Sequence, residues 1–194
     1  MKLPELLIID DFYEDPFKIR ELAEKVEYFS DHDSGYFHRS KSHLTFEVLA
    51  KLEGAIDREI EIDKNWDKDT TYNGSFYVIS PNKPLPQHVH HDQHDMVGIV
   101  SLSTNFNNDN LGDGTCFWRH KSTGKTKART VLDVDPLSKD GDHLDRWIMT
   151  DFIGHKFNTL ILYPGARFHS ARIGKLDRLN QLFVFNLHDY EKKN

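Results

Sequence analysis

The chain changes character near Thr71, and that change restricts what it can fold into. Beyond it, short runs rich in Val, Ile, Phe and Tyr occupy 75–80, 96–102, 115–119, 157–163 and 179–187, separated by Pro, Gly and Asn. Runs this short pair as strands rather than standing as helices. Upstream, 6–9 reads as a first strand. Asp15-Pro16 supplies an N-cap and a proline at the first helical position, and Phe17, Ile19, Leu22, Ala23 and Val26 follow at helical spacing. A helix over 16–28 is predicted. Phe46, Leu49, Leu52 and Ile56 predict a second helix, over 45–62, while 29–44 shows no clear period. The expectation is a mainly β (α+β) fold in one domain over 1–194. Its helical preface is 1–70, and its β sandwich or barrel is 71–187. The charged stretch 120–156 reads as an insertion, with a short helix on Leu144, Trp147, Ile148 and Phe152 and the character of a substrate flap.

At 194 residues the chain suffices for a sizeable core. Its net charge of −6, with acids and bases interspersed, argues against a general nucleic-acid binder. Cys116 is the only cysteine, which excludes an intrachain disulfide and a cysteine-based zinc site. The apolar run 6–9 is too short for a signal peptide core, and no stretch has the length of a membrane span. A cytoplasmic location is expected, with oligomeric state left open.

The chemistry concentrates in His88-Val89-His90-His91-Asp92-Gln93-His94-Asp95. Histidine is the commonest metal ligand. On an extended chain, residues two apart share a side, so His90 and Asp92 present a nitrogen and an oxygen together, with His88 and His94 on that side and His91 opposite. Two His and one carboxylate form a set that leaves adjacent metal positions open. The third candidate is His169, after the Pro164-Gly165 turn, and nine residues later Arg178 opens the last run. Arginine offers a planar fork that matches a carboxylate.

His90-x-Asp92, the distal His169 and Arg178 together resemble the signature of the Fe(II)/2-oxoglutarate-dependent dioxygenases, in their prolyl-4-hydroxylase-like branch. Gly112-Asp113-Gly114-Thr115-Cys116-Phe117 is similar to that branch's Gly-Gly-x-Thr-x-Phe segment. Asn158 to Gly165 precedes the distal histidine as in the family, and Phe117-Trp118-Arg119-His120 with Ser122-Thr123-Gly124 resembles a bacterial and phage-type subgroup of unassigned function.

The resemblance implies a double-stranded β-helix, a jelly-roll (cupin-like) barrel with flanking N-terminal helices. Its metal would be Fe(II), held by His90, Asp92 and His169 as the catalytic set. 2-Oxoglutarate would be the cosubstrate, gripped by Arg178, and O2 the oxidant, with succinate and CO2 released as an amino-acid, peptidyl or small-metabolite substrate is hydroxylated. Asp92 occupies the position a halide would need, which disfavours halogenation. Many relatives carry a second carboxylate donor, a Tyr, where this chain has Val100, and Tyr77 is the substitute candidate. Trp118, Arg119 and His120 are candidates for the substrate mouth. Two other readings stand beside this one. One is a cupin-like binder using His88, His90 and His169 with Asp95; the other is an oxygenase fold serving as an interaction module.

Overall fold

The computed structural model describes residues 3–30, 38–61, 72–80, 88–104, 112–128, 139–174 and 177–188. Helix α1 (Pro16–Lys25) starts as the sequence dictates: Asp15 accepts from the Lys18 backbone N–H at 3.1 Å, with proline at the first position. It stops earlier than expected because Val26 is already extended, and the next residues prefer a strand, β2 (Phe29–Ser30). Helix α2 (Phe46–Ile56) is capped by Thr45, whose hydroxyl accepts from the Val48 N–H. It ends at Asp57 in the left-handed region, φ 53°, and the residues expected to continue it form β4 (Ile60–Glu61) instead.

Two antiparallel sheets follow. The larger runs β1 (Leu7–Ile9), β9 (Leu160–Pro164), β6 (Met96–Ser101), β11 (Arg178–Leu187), β5 (Ser75–Ile79), β3 (His38–Ser42), β2, with β4 also on β11. The smaller runs β10 (His169–Arg172), β7 (Gly114–His120), β8 (Trp147–Gly154). A bridge between His90 and His169 adds the histidine-rich segment to its free edge.

Strand alternation separates two environments. Leu179, Phe183 and Phe185 of β11 join Met96, Val100, Phe76, Leu160 and Leu162 in the core beneath the helices, which contribute Ala23, Val48, Leu49, Leu52 and Ile56. The alternate residues of the same strands, Arg178, Asn180, Leu182 and Val184 with Val97, Ile99, Tyr77 and Ile79, turn to the opposite face and line a cavity between the sheets. This two-sheet barrel with helices on one outer face is the jelly-roll expected.

The expected helix in 120–156 is corrected. Residues Leu144–Arg146 form a single 3-10 turn, and Trp147–Gly154 is strand β8, paired along β7 from His120↔Trp147 to Gly114↔Gly154. The helical spacing of Leu144, Trp147, Ile148 and Phe152 was outweighed by a β-rich composition and a neighbouring strand with an open edge. Residues 129–138, in the middle of the proposed flap, lie outside the described residues.

Candidate metal centre

His90, Asp92 and His169 converge, with one potential ligand atom from each lying within 4.8 Å of the others. The convergence starts from backbone pairing. His90 N–H donates to His169 O at 2.9 Å, and His169 N–H returns the bond to His90 O at 2.8 Å. Asp92 N–H donates to Gly165 O at 2.8 Å. Gly165 allows this approach, since a Cβ there would lie 2.2 Å from His94 O and 3.3 Å from the Asp92 Cβ.

Both imidazoles are oriented for a metal. His90 Nδ1 lies 3.0 Å from His88 O, and His169 Nδ1 lies 2.8 Å from Arg167 O. A carbonyl only accepts, so each Nδ1 carries the proton and each Nε2 keeps its lone pair. His169 Nε2 meets Asp92 Oδ2 at 3.1 Å, a pairing of two acceptors that calls for a proton or a cation between them.

His90 reaches water on the cavity side yet is otherwise surrounded by protein; burial, then the neighbouring His169, lowers its pKa to about 4. Burial on its own would raise the Asp92 carboxyl. The hydrogen bond that His169 donates when protonated, with the charges of His169, His90 and His94 in that form, outweighs it and holds the group below the usual carboxylate range. His90 and Asp92 are therefore both held in the deprotonated form that a metal ligand needs near neutrality. Tyr163 packs its ring edge-on to His169 at 5.0 Å, and burial followed by the Asp92 charge pushes its hydroxyl well above its ordinary value.

Arg178 lines the same cavity of about 380 Å³ and is buried, 2% exposed. Its Nη1 lies 3.5 Å from Asp113 Oδ1 and 3.4 Å from Gly114 O; its Nη2 lies 3.2 Å from His155 Nε2. The Asn180 amide oxygen, turned to the guanidinium, accepts from Nη2 at 3.0 Å and also from Nε. Burial lowers the arginine's pKa while Asp113 opposes the shift. Burial likewise raises Asp113, against the pull of Arg178 and of the Gly174 and Gly114 amides.

Thr115, Tyr77 and Asn180 complete the polar lining near Arg178. Thr115 and Asn180 escaped the sequence reading, although Thr115 stands in the Gly-x-Thr segment quoted above and Asn180 is two residues from Arg178 on one strand. Val100 points to the helix side, into the core.

The other histidines and the expected mouth residues are placed elsewhere. His91 turns its ring edge to Phe168, centroids 6.1 Å apart. His88 is engaged by Asp142 at 2.7 Å, and Asp95 accepts from the Leu187 N–H at 2.9 Å, so Asp92 rather than Asp95 faces His169. Trp118, Arg119 and His120 do not line the cavity, a correction: strand parity turns Trp118 and His120 away from it, while Arg119, on the parity of Thr115, is exposed near the end of β7. Thr115 faces inward, and Cys116 and Trp118 pack outward with Val89, Trp147 and Phe168. Trp118 Nε1 donates to Ser170 Oγ at 2.9 Å, His120 is held by Asp140 at 2.9 Å, and Arg119 is exposed.

A family profile matches residues 2–182, under the description "Family of unknown function (DUF6445)". The chain belongs to that family. Among curated proteins no sequence matches this DUF6445 chain. Solved structures do share its fold. HygX from Streptomyces hygroscopicus, with nickel, 2-oxoglutarate and hygromycin B bound, superposes with a TM-score of 0.55 at 12% identity, covering 94% of this chain and 82% of that one. An N-substituted L-amino acid dioxygenase from Burkholderia ambifaria gives 0.57 at 9% identity, covering 96% and 84%. A prolyl-4-hydroxylase from Pseudomonas putida gives 0.53 at 8%, covering 95% and 93%. At these identities the likeness concerns the fold: the DUF6445 chain has the jelly-roll architecture of 2-oxoglutarate/Fe(II) oxygenases. Among the described residues no helix is long and apolar enough to cross a membrane.

Proposed function

We propose that this chain is an Fe(II)- and 2-oxoglutarate-dependent dioxygenase that hydroxylates an amino-acid, peptidyl or small-metabolite substrate with release of succinate and CO2. The observation that carries the reading is the pairing of two sites in one cavity. The His90, Asp92 and His169 donors lie within 4.8 Å of one another, and a buried arginine lines the same space.

The donor set fits the metal. Two imidazole nitrogens and one carboxylate oxygen suit a divalent iron, and their grouping on one side leaves the cavity side open. Bound there, Fe(II) supplies activation of O2 coupled to oxidation of the keto acid. The protein's own groups do the rest. Asp92 and the two histidines would hold the metal, and Arg178 would supply a permanent positive charge for the distant carboxylate.

Along β10 and β7 the distance is suitable. Ala171, two residues beyond His169, pairs with Thr115, and Gly114 O touches Arg178. Two residues on a strand span roughly 7 Å, which an extended five-carbon diacid bridges. The wall between the two sites is apolar, with Val97, Ile99, Leu182 and Val184, so it excludes water and strengthens each charged contact. We assign Thr115 as the partner of Arg178 at that carboxylate, with Tyr77 as the nearby alternative.

The cupin-like reading gains no support from the geometry, since His88 and Asp95 have other partners. The structural neighbours include a protein with hygromycin B bound, an N-substituted L-amino acid dioxygenase and a prolyl-4-hydroxylase, which leaves the substrate class of this chain broad. The test is anaerobic loading with Fe(II) and titration with 2-oxoglutarate, following the charge-transfer absorption of a chelated keto acid, then O2 addition and succinate assay. A saturable band and O2-dependent succinate are expected. A protein that binds iron and gives neither overturns the proposal.

A further inference from the structure

His155 stands just past the end of β8, and its backbone N–H donates to Asp113 O at 2.9 Å. That bond continues the close β7–β8 pairing at Gly114, where an added Cβ would lie 2.3 Å from Ile153 O. The imidazole is thus set by a ladder rather than by a loop. Its Nε2 lies 3.2 Å from Arg178 Nη2 and 3.1 Å from Thr115 Oγ1.

These distances fix the proton. A guanidinium only donates, so Nε2 must offer its lone pair and the proton must sit on Nδ1. Nδ1 is closed off from solvent and has no hydrogen-bond partner among the described residues. Leaving a buried N–H unpaired costs about 1–3 kcal/mol, so the ring has not been placed here to satisfy its own groups. Burial, then the charge of Arg178, pushes the imidazole well below its ordinary pKa and so keeps the ring neutral, as a lone pair on Nε2 requires.

One lone pair faces two donors. The cationic donor makes the stronger bond, so Arg178 takes Nε2 and the Thr115 hydroxyl hydrogen is turned elsewhere. Thr115 and Arg178 both line the cavity. We propose that His155 is a positioning residue for the far carboxylate of the cosubstrate: through a single ring nitrogen it fixes the Arg178 fork and directs the Thr115 hydroxyl into the cavity. Asn180 accepts from Nη2 and Nε of the fork and the Asp113 charge stands 3.5 Å from Nη1, so the guanidinium is oriented from several sides before any ligand arrives. This inference rests on the oxygenase reading and adds a group outside the cavity lining.

The test uses His155→Leu and His155→Gln in the full chain, anaerobic and loaded with Fe(II). Each is titrated with 2-oxoglutarate and with pyruvate, a keto acid that chelates alike but lacks the far carboxylate. In His155→Leu the Kd for 2-oxoglutarate should rise about 10- to 30-fold, with pyruvate and Fe(II) affinity unchanged. His155→Gln, whose amide oxygen replaces the acceptor, should return to within about threefold of wild type.

A leucine variant within about twofold of wild type overturns the inference, as does equal loss for both keto acids or a glutamine variant without recovery. Where the leucine variant does not fold, ¹⁵N NMR of the wild-type ring decides: a proton on Nδ1 from pH 6 to 8 supports the proposal, and a proton on Nε2 overturns it. A wild type that binds neither keto acid refutes the oxygenase reading itself, and this inference with it. A wild type that binds 2-oxoglutarate beside an unaffected leucine variant refutes this inference alone.

Discussion

Replacing Arg178 by methionine tests the carboxylate pocket most sharply, because two costs follow and they can be separated. The first is a loss of stability. Asp113 is 5% exposed and has Arg178 as its cationic neighbour, so the substitution leaves a buried carboxylate uncompensated. Breaking such a pair costs about 3–5 kcal/mol. The sign of the pH dependence follows from Asp113. Burial already raises its pKa, and without Arg178 the shift grows, so the cost is full at neutral pH and shrinks as falling pH protonates the group. Adding Asp113→Asn removes the unpaired charge and should restore most of the stability.

The second cost is affinity. A 2-oxoglutarate carboxylate brought into this apolar, water-poor space without its fork is an unpaired buried charge. The loss is again about 3–5 kcal/mol, or roughly two to three and a half decades in Kd. Asp113→Asn cannot recover it. Arg178→Lys should recover part, since the charge remains and the second hydrogen bond is lost. The assay is urea unfolding for stability, with anaerobic titration of the Fe(II) protein by 2-oxoglutarate for affinity. Iron binding should be unchanged throughout. A double variant that is stable and binds 2-oxoglutarate like wild type would refute the assignment of Arg178.

Further expectations follow from the same geometry. His169→Ala should abolish tight one-to-one Fe(II) binding by calorimetry, and His91→Ala, whose ring faces Phe168, should keep both metal and cosubstrate. The reverse pattern would move the metal set off His169. In the metal-free protein, His90 titrates near 4 against roughly 6.5 unfolded, so the unfolded chain holds more protons between those values. Melting temperature should therefore rise with pH across that window and level off above it, and His90→Gln should flatten the slope; an equal slope in both proteins refutes the shift. Trp118→Ala should cost about 3–5 kcal/mol of stability by urea unfolding, through its outward packing and its bond to Ser170, while the 2-oxoglutarate Kd stays put. A stable variant with altered binding would return Trp118 to the site.

Much of the fold was legible because each signal had one physical cause. Asp15-Pro16 and Thr45 marked helix starts through capping, and the apolar runs at 96–102 and 179–187 marked the central strands. The helix ends were less legible. Val26 and Asp57 stop their helices by adopting backbone conformations that apolar periodicity does not encode. Strand β8 was misread because Trp147, Ile148 and Phe152 fit two periods at once, and only the presence of β7 beside it selects the extended one. Strands β3 and β10 are short and polar, His38–Ser42 and His169–Arg172, so their pairing partners determine them rather than their composition.

The same distinction separates what the sequence said about the site from what it could not say. His90, Asp92, His169 and Arg178 carry chemistry in their side chains, and their order along the chain matches a motif. The groups that hold them do not. Gly165 matters because a backbone passes 2.2 Å from where its Cβ would be, and His155 matters because a ladder bond places it beneath Arg178. Both depend on strands meeting across long sequence separations. Trp118 fails as a mouth residue for a related reason: it is three residues from Thr115 on one strand, and an odd separation reverses the face. Along β11 from Arg178 to Phe185, then, the parity of an apolar residue relative to Arg178 decides whether it meets the cavity or the core. Substitutions at Leu182 and Val184, which share the face of Arg178, should therefore shift the 2-oxoglutarate titration, whereas equal changes at Phe183 and Phe185 should lower stability to urea.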